Sequence, residues 1–428
     1  MDGFLTRLIR AFIYSKYPTR LVFRMKNKIL LSDFNIELQT LLLATEAAFS
    51  IEKKAALTTF LSTHKVDWEK TYRLAQVHQI RPVFLRGITG LPQGFIPSNI
   101  VKQLKQDCQK IAFHNLRQTS ELIRLLGLFK RANVPTIPYK GVWLANAYYD
   151  DFGMREFSDI DLFIHKKDLP AIENIMISEN YIPEFSMTEN QKDKLLAIYC
   201  EYNFNLFNHQ NQRLFHVEPH YASNHRYWCI NLSLKDFENN ITQAQLSNHS
   251  IDVLSPEDNL ILTLTNHGVN EGWTKLKYII DLNQIMKKHP SELNWDYIIK
   301  TTKQLDIELH LYTGLAIIRF LFAITLPDKL NVLIDTHQNL YSERLLSLEK
   351  YHGITPRTQL RRVLYNMKCR TKSATKLKMI LYQINSPCKA DMEFIILPKS
   401  LFFLYAIMRP IRIANDTVHS YFVRKSSQ

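Results

Sequence analysis

The sequence reads as an α+β protein in which a small mixed α/β unit, residues 133–225, sits between a helical region over 1–132 and a second helical region over 226–428. The apolar period carries this reading. It is helical up to about residue 132, breaks into short extended runs, and then returns to helical. The 428 residues, 46% hydrophobic and 11% aromatic, suffice for more than one packed core. Only 11 glycines argue against a turn-rich all-β fold.

The elements follow in order. "LQTLLLATEAAF" is apolar at helical spacing. "SNIVKQLKQDCQKIAFHNLRQTSELIRLLGLFKRANV" is one long helix whose stripe runs through Ile100, Leu104, Cys108 and Ile111, then Leu122, Leu125, Leu126 and Phe129. "VPTIPYKG" predicts a short strand stopping at Gly141, and "VWLANAYY" a helix. "SDIDLFIH" is a strand by its alternation of Asp159, Asp161 and Phe163 against Ile160, Leu162 and Ile164. A helix follows over 169–180, then a hairpin with "NHQNQ" as its loop. Further on, Ser255 caps a helix that carries Pro256 at its first position and ends near His267-Gly268; "GWTKLKYIIDLNQIMKK" supplies the next helix. Residues 295–425 read as mostly helical.

A formal charge of +14 implies an anionic partner, or simply a basic protein. Five scattered cysteines, odd in number and never in a C-x-x-C pair, favour a reducing cytoplasm over a disulfide scaffold. Arg7, Arg10 and Lys16 interrupt any signal-peptide core at the N-terminus. "SLFFLYAIM" is too short to span a bilayer; residues 393–413 offer at most peripheral membrane contact, the alternative being a buried helix of the last region.

Chemistry concentrates in the middle unit. On a strand, residues two apart share a face, so Asp159 and Asp161 project together. Two carboxylates that close repel, and the arrangement suits a cation between them; all-oxygen ligation favours Mg²⁺ or Mn²⁺. A solvent-exposed strand end is the alternative. Upstream, "YKG" makes a strand-turn-helix junction of the kind that offers backbone N–H groups to phosphate, with Lys140 and Arg155 as nearby cations. Arg155 reads equally as a salt bridge orienting the aspartates. Downstream, "FHVEPH" puts Glu218 on one face with His216 and His220, and Glu218 completes a three-carboxylate cluster if its strand neighbours the aspartate strand. The H-x-E-x-H spacing differs from the helical zinc motif.

Taken in order, "IPYKGVWLANAYY", "MREFSDIDLFI", "HVEPHY" and "LSPEDNLILTLTNHGVNEGWTKLKYIIDL" resemble a family of uncharacterised bacterial nucleotidyltransferases, a branch of the polymerase-beta-like superfamily, over roughly residues 75–290. The resemblance implies a nucleotidyltransferase core. Asp159, Asp161 and Glu218 would be its metal-binding and catalytic acids, and Lys140, Gly141 and Arg155 would lie along the phosphates. The substrate would be an NTP, and the acceptor a protein, RNA, sugar or small molecule. His267, Trp273 and Asp281 would form a pocket wall or, on the reading favoured here, a packing set with His267 bonded to Asp281. The sequence departs from the superfamily in having Lys140-Gly141 at the phosphate turn and Pro219 in the acid strand, which predicts an edge or bulged strand there. Two rivals remain. One is a nucleotide-binding adaptor without activity. The other is a D-x-D glycosyltransferase, disfavoured because no large parallel sheet precedes the aspartates.

Overall fold

The computed structural model describes residues 29–409 except 186–187, 290–291, 350–355 and 388. The basic N-terminal segment, Cys388 and the end of the 393–413 segment lie outside the described residues. Five helices come first: α1 (Ile36–Phe49), α2 (Lys53–Thr63), α3 (Trp68–Val77), α4 (Arg81–Ile88) and α5 (Ser98–Arg131). Asn35 starts α1 by accepting a hydrogen bond from Leu38 N at 2.8 Å. Helices α1 and α4 touch backbone to backbone at Gly87, where an added Cβ would fall 1.9 Å from Ala44 O.

The 34 residues of α5 span about 51 Å at 1.5 Å per residue. Its first half contributes Ile100 and Leu104 to a large helical core; its second half contributes Leu122, Leu125 and Phe129 to the core under the sheet. The large core joins both helical flanks, with Leu38 and Phe84 in one cluster with Trp273, Ile279 and Ile317.

The middle unit is β1 (Thr136–Pro138), α6 (Gly141–Tyr148), β2 (Ile160–Ile164), α7 (Leu169–Ser178), β3 (Ile182–Pro183), α8 (Glu189–Leu196), β4 (Phe204–Phe207) and β5 (Arg213–His220). The strands form one mixed sheet in the order β1-β2-β5-β4-β3. Only β2 and β5 run parallel. The α+β class and the small mixed sheet are thus as the sequence predicts. Pro219 is not at an edge, however: β5 lies between β2 and β4. The β4 pairing ends at Phe204–Val217, Pro219 O accepts from Tyr202 N, and an isolated antiparallel bridge Glu201–His220 follows, so the proline sits in a gap of the ladder where its missing N–H is not called on.

The region after residue 225 opens on two 3₁₀ turns, Arg226–Trp228 and Leu234–Asn240, rather than on an α-helix. A hairpin, β6 (Ile241–Leu246) and β7 (His249–Leu254), precedes the helices. Its alternation is mostly of exposed polar residues, so the apolar period does not register it. Ser255 caps α9 (Pro256–Thr263), as expected. The chain does not stop at His267-Gly268 but continues as a π-helical turn over Leu264–Asn270. Then come α10 (Leu276–Lys288), α11 (Trp295–Gln304), α12 (Glu308–Phe322), α13 (Asp328–Asp335), α14 (Gln338–Leu348), α15 (Pro356–Cys369), α16 (Ser373–Asn385) and α17 (Lys389–Phe394).

No helix among the described residues is long and apolar enough to cross a membrane. In the 393–409 stretch, Phe402 and Tyr405 are buried against Leu195 and Met392, while Phe394, Ile396, Phe403 and Ile407 are exposed.

The two halves of α5 give a test of how the sheet core is held. Phe129 is fully buried and Phe113 is 64% exposed. Phe129→Ala should cost about 3–5 kcal/mol in urea unfolding, and Phe113→Ala should stay within about 0.5 kcal/mol.

Candidate active site

Strand β2 is buried along its whole length, so its aspartates sit at the end of an apolar strand and not on a wet edge. The parallel register places Asp161 directly opposite Glu218 and Phe163 opposite His220. Ligand atoms of Asp161, Glu218 and His220 lie within 4.8 Å of one another. Asp159, just before β2, is half-buried and lines the same cleft as Asp161 and Glu218. The structure therefore brings all three predicted acids together.

The turn ahead of them is strained. Lys140 has φ +53° and ψ −138°, a conformation that side chains rarely adopt. Gly141 follows with φ +20°, and a Cβ there would lie 3.0 Å from Asp159 O and 3.3 Å from Asp161 Oδ2. The glycine is what lets the start of α6 press against the acid strand. The first amides of α6 have no intrahelical acceptor, which leaves an anion-binding end aimed at the acids.

Buried bonds hold this turn from three sides. Arg155 donates from Nε to Asp281 Oδ1 at 2.8 Å, from Nη2 to Asp281 Oδ2 at 2.9 Å, and from Nη1 to Gly141 O at 3.2 Å. Asp281 also accepts from Tyr149 Oη at 2.7 Å and lies 2.9 Å from His267 Nε2. The next residue, Glu156, meets Arg81 of α4 at 2.7 Å, and Asn115 of α5 donates to Arg155 O at 2.9 Å. Arg155 is thus tied to Asp281 and the turn, not to Asp159 or Asp161. His267 and Asp281 are bonded in the packing set, and Trp273 is fully buried beside His267 with its Nε1 donating to His310 O.

The acids differ in charge state. Lys140 Nζ sits 2.8 Å from Asp161 Oδ1, and His220 Nε2 lies 3.1 Å from the same oxygen. Burial opposes ionisation of Asp161, but Lys140 and His220 outweigh it and hold the carboxyl below its usual range. Burial likewise opposes ionisation of Glu218, yet His216 at 3.0 Å and His220 at 3.3 Å hold it well below. Burial and Lys140 push His220 down, but Tyr139 and the facing carboxylates of Glu201 and Asp161 outweigh them and keep it protonated well above the ordinary histidine value. Asp159 pairs with no described residue. Burial, with Asp161 and Glu218 adding their charge, pushes it up to about 6.

The cleft in front of the acids has a volume of about 290 Å³. Lys140, Gly141 and Arg155 line it with the three acids, as do residues that the sequence reading did not single out: Glu201, Tyr227, Asn270, Lys277 and Arg362. Among the described residues Lys277 reaches only Gln79 Oε1, at 3.3 Å, and burial together with Arg155 lowers its ammonium to about 8. Arg362 donates from Nη2 to Asn270 O and stands 3.6 Å from Glu271, while its buried Nε has no partner among the described residues. These two cations come from α10 and α15, and only tertiary folding brings them to the acids.

The acids suit a hard cation. Among the described residues Asp159 is uncommitted, and Asp161 meets Lys140 and His220 through Oδ1 alone. Two carboxylate oxygens facing one cleft form the donor set that Mg²⁺ or Mn²⁺ prefers.

A family model described as uncharacterised nucleotidyltransferase matches residues 64–323, a span that takes in α5, the sheet and the helices carrying His267, Asp281 and Lys277. No curated protein and no solved structure matches the chain.

Asp281 gives the sharpest test of the scaffold. Asp281→Ala strands the Arg155 charge in a site 3% exposed, which should cost about 3–5 kcal/mol in urea unfolding. A loss below about 1 kcal/mol would show that the ion pair does not hold the turn.

Proposed function

This chain belongs to the family of uncharacterised nucleotidyltransferases, and we propose that it is a metal-dependent enzyme that moves a nucleoside monophosphate from an NTP to an acceptor hydroxyl or phosphate, releasing pyrophosphate. One observation carries the proposal. Asp161 and Glu218 face each other across parallel strands, Asp159 shares their cleft, and a helix start that only glycine permits presses against them. Asp159, Asp161 and Glu218 would hold Mg²⁺ or Mn²⁺, which when bound polarises the reacting phosphate and offsets its charge.

The chain's own groups do the rest. The α6 amides beyond Gly141 receive phosphate oxygens. Lys140, held on Asp161 beside the turn, offers an ammonium to a phosphate once that pair opens. Glu218, kept anionic by His216 and His220, stands ready beside the acceptor hydroxyl. Lys277 and Arg362 take the charge of the leaving pyrophosphate, a role for which Arg155 is not available because its guanidinium is spent on Asp281 and Gly141. Arg155 acts by fixing the turn. The free thiols Cys108, Cys200, Cys229 and Cys369 suit a reducing cytoplasm.

The test is incubation with each labelled NTP, Mg²⁺ and candidate acceptors (protein, RNA, sugars and small molecules), reading pyrophosphate and nucleotidylated product. At least one NTP should turn over. Asp161→Asn should lower the rate on the order of a hundredfold or more, the scale on which removal of a charge-stabilising group acts, with NTP binding retained. Binding of NTP without pyrophosphate under every condition would make the chain a nucleotide-binding adaptor.

Lys277 adds a pH dependence. Its ammonium, at about 8 in the free protein, is raised by a bound phosphate, so binding is full below 8 and weakens as pH rises above it. NTP affinity should fall by up to about tenfold per unit above that point. Lys277→Arg should bind NTP with a flat profile over pH 7–10, and an unchanged slope in that variant would remove Lys277 from the phosphate site.

A further inference from the structure

We propose a second metal site, for zinc, made by Cys200 Sγ, His220 Nδ1 and Glu201 Oε2 on the edge of the His220 ring opposite to the three acids. The site does not depend on nucleotidyl transfer, because none of its three donor atoms is used there.

The donor set comes first. Thiolate, imidazole and carboxylate together select zinc among the common divalent ions, whereas the all-oxygen site next to it suits a harder ion. The spacing follows. Sγ lies 3.5 Å from Glu201 Oε2 and 4.0 Å from His220 Nδ1, and Nδ1 lies 3.1 Å from Oε2. Donor atoms around a tetrahedral zinc stand roughly 3.3–3.6 Å apart, from Zn–S and Zn–N bonds of about 2.3 and 2.0 Å. Shifts of a few tenths of an ångström, within side-chain torsion, close the triangle on an ion.

Two further features fit. A metal-ligating histidine normally gives its other ring N–H to a carboxylate, and His220 Nε2 already lies 3.1 Å from Asp161 Oδ1. The cysteine is also held in place before any ion arrives. Its carbonyl accepts from Tyr221 N at 2.8 Å and Ala222 N at 3.2 Å, and its N–H donates to His225 Nδ1 at 3.2 Å. A protonated histidine between carboxylates accounts for the Glu201 and Asp161 contacts. It gives no reason for a buried thiol, a weak hydrogen-bonding group, to sit against both remaining donors. Loading replaces the thiol proton and the Nδ1 proton, leaves Nε2–H on Asp161, and releases two protons per zinc. Glu201 lines the cleft, so a fourth position is open to water or a substrate donor.

The experiment titrates the metal-free full chain with Co²⁺ and measures the zinc content of protein purified without chelator. The expected result is about one zinc per chain and a near-ultraviolet thiolate-to-cobalt charge-transfer band that saturates at one equivalent. Cys200→Ser should lose the band and lower zinc affinity at least about tenfold, whereas Cys108→Ser and Asp159→Asn keep both. Absence of a thiolate band in the wild-type titration overturns the proposal even if Cys200→Ser fails to fold. So does a band that survives in folded Cys200→Ser. Nucleotidyl transfer is read in separate reactions, so a failure there leaves this result standing.

Discussion

The buried carboxylate of Asp281 is the interaction on which the site depends. A charge that deep is tolerated only when it is fully paired, and Asp281 takes both arms of Arg155, the Tyr149 hydroxyl and His267. Those partners come from the loop before β2, from the end of α6 and from the π turn after α9. One carboxylate on α10 therefore fixes the phosphate turn, the aspartate loop and the first helices of the C-terminal region relative to one another. Arg155 extends the tie to Gly141 O, which sets the turn against the acids. Glu156 and Arg81 brace the same loop from the N-terminal side.

Charge balance within the cleft follows from that frame. Asp161 and Glu218 cannot both be anionic at their separation without compensation, and Lys140, His216 and His220 provide it. Asp159 has no such partner and is pushed up to about 6. A cation entering between Asp159 and Asp161 would relieve that repulsion and free Lys140 to meet phosphate, so metal and nucleotide binding should favour each other. Lys277 and Arg362 line the same cleft and add positive charge for a polyanion near the acids.

The sequence exposed what depends on local pattern. The strand alternation predicted Asp159 and Asp161 on one face; the structure begins β2 at Ile160, just after Asp159, and both acids line one cleft. The "YKG" junction marked the turn and "NHQNQ" the hairpin loop, both as the structure has them. The side-by-side placement of β2 and β5 required either the resemblance or the fold, because a parallel pairing between strands some fifty residues apart leaves no local trace. Pro219 misled because proline in a strand signals an edge, whereas here it occupies a gap in an interior ladder, between the regular β4 pairing and the Glu201–His220 bridge. Lys277, Arg362 and Glu201 were out of reach for the same reason as the pairing. Nothing in their own segments distinguishes them from surface charges until the chain folds. Arg155 was legible as important but not as a partner of Asp281, 126 residues away.

The most direct measurement is a crystal structure of the chain with Mn²⁺ and a non-hydrolysable NTP analogue, with the metal located by anomalous scattering. The account predicts manganese bound by Asp159, Asp161 and Glu218, phosphate oxygens on the first amides of α6, the Lys140–Asp161 ion pair opened, and the terminal phosphates toward Lys277 and Arg362. Nucleotide bound away from the Gly141 turn, or manganese absent from the acids while the nucleotide is in place, would contradict it.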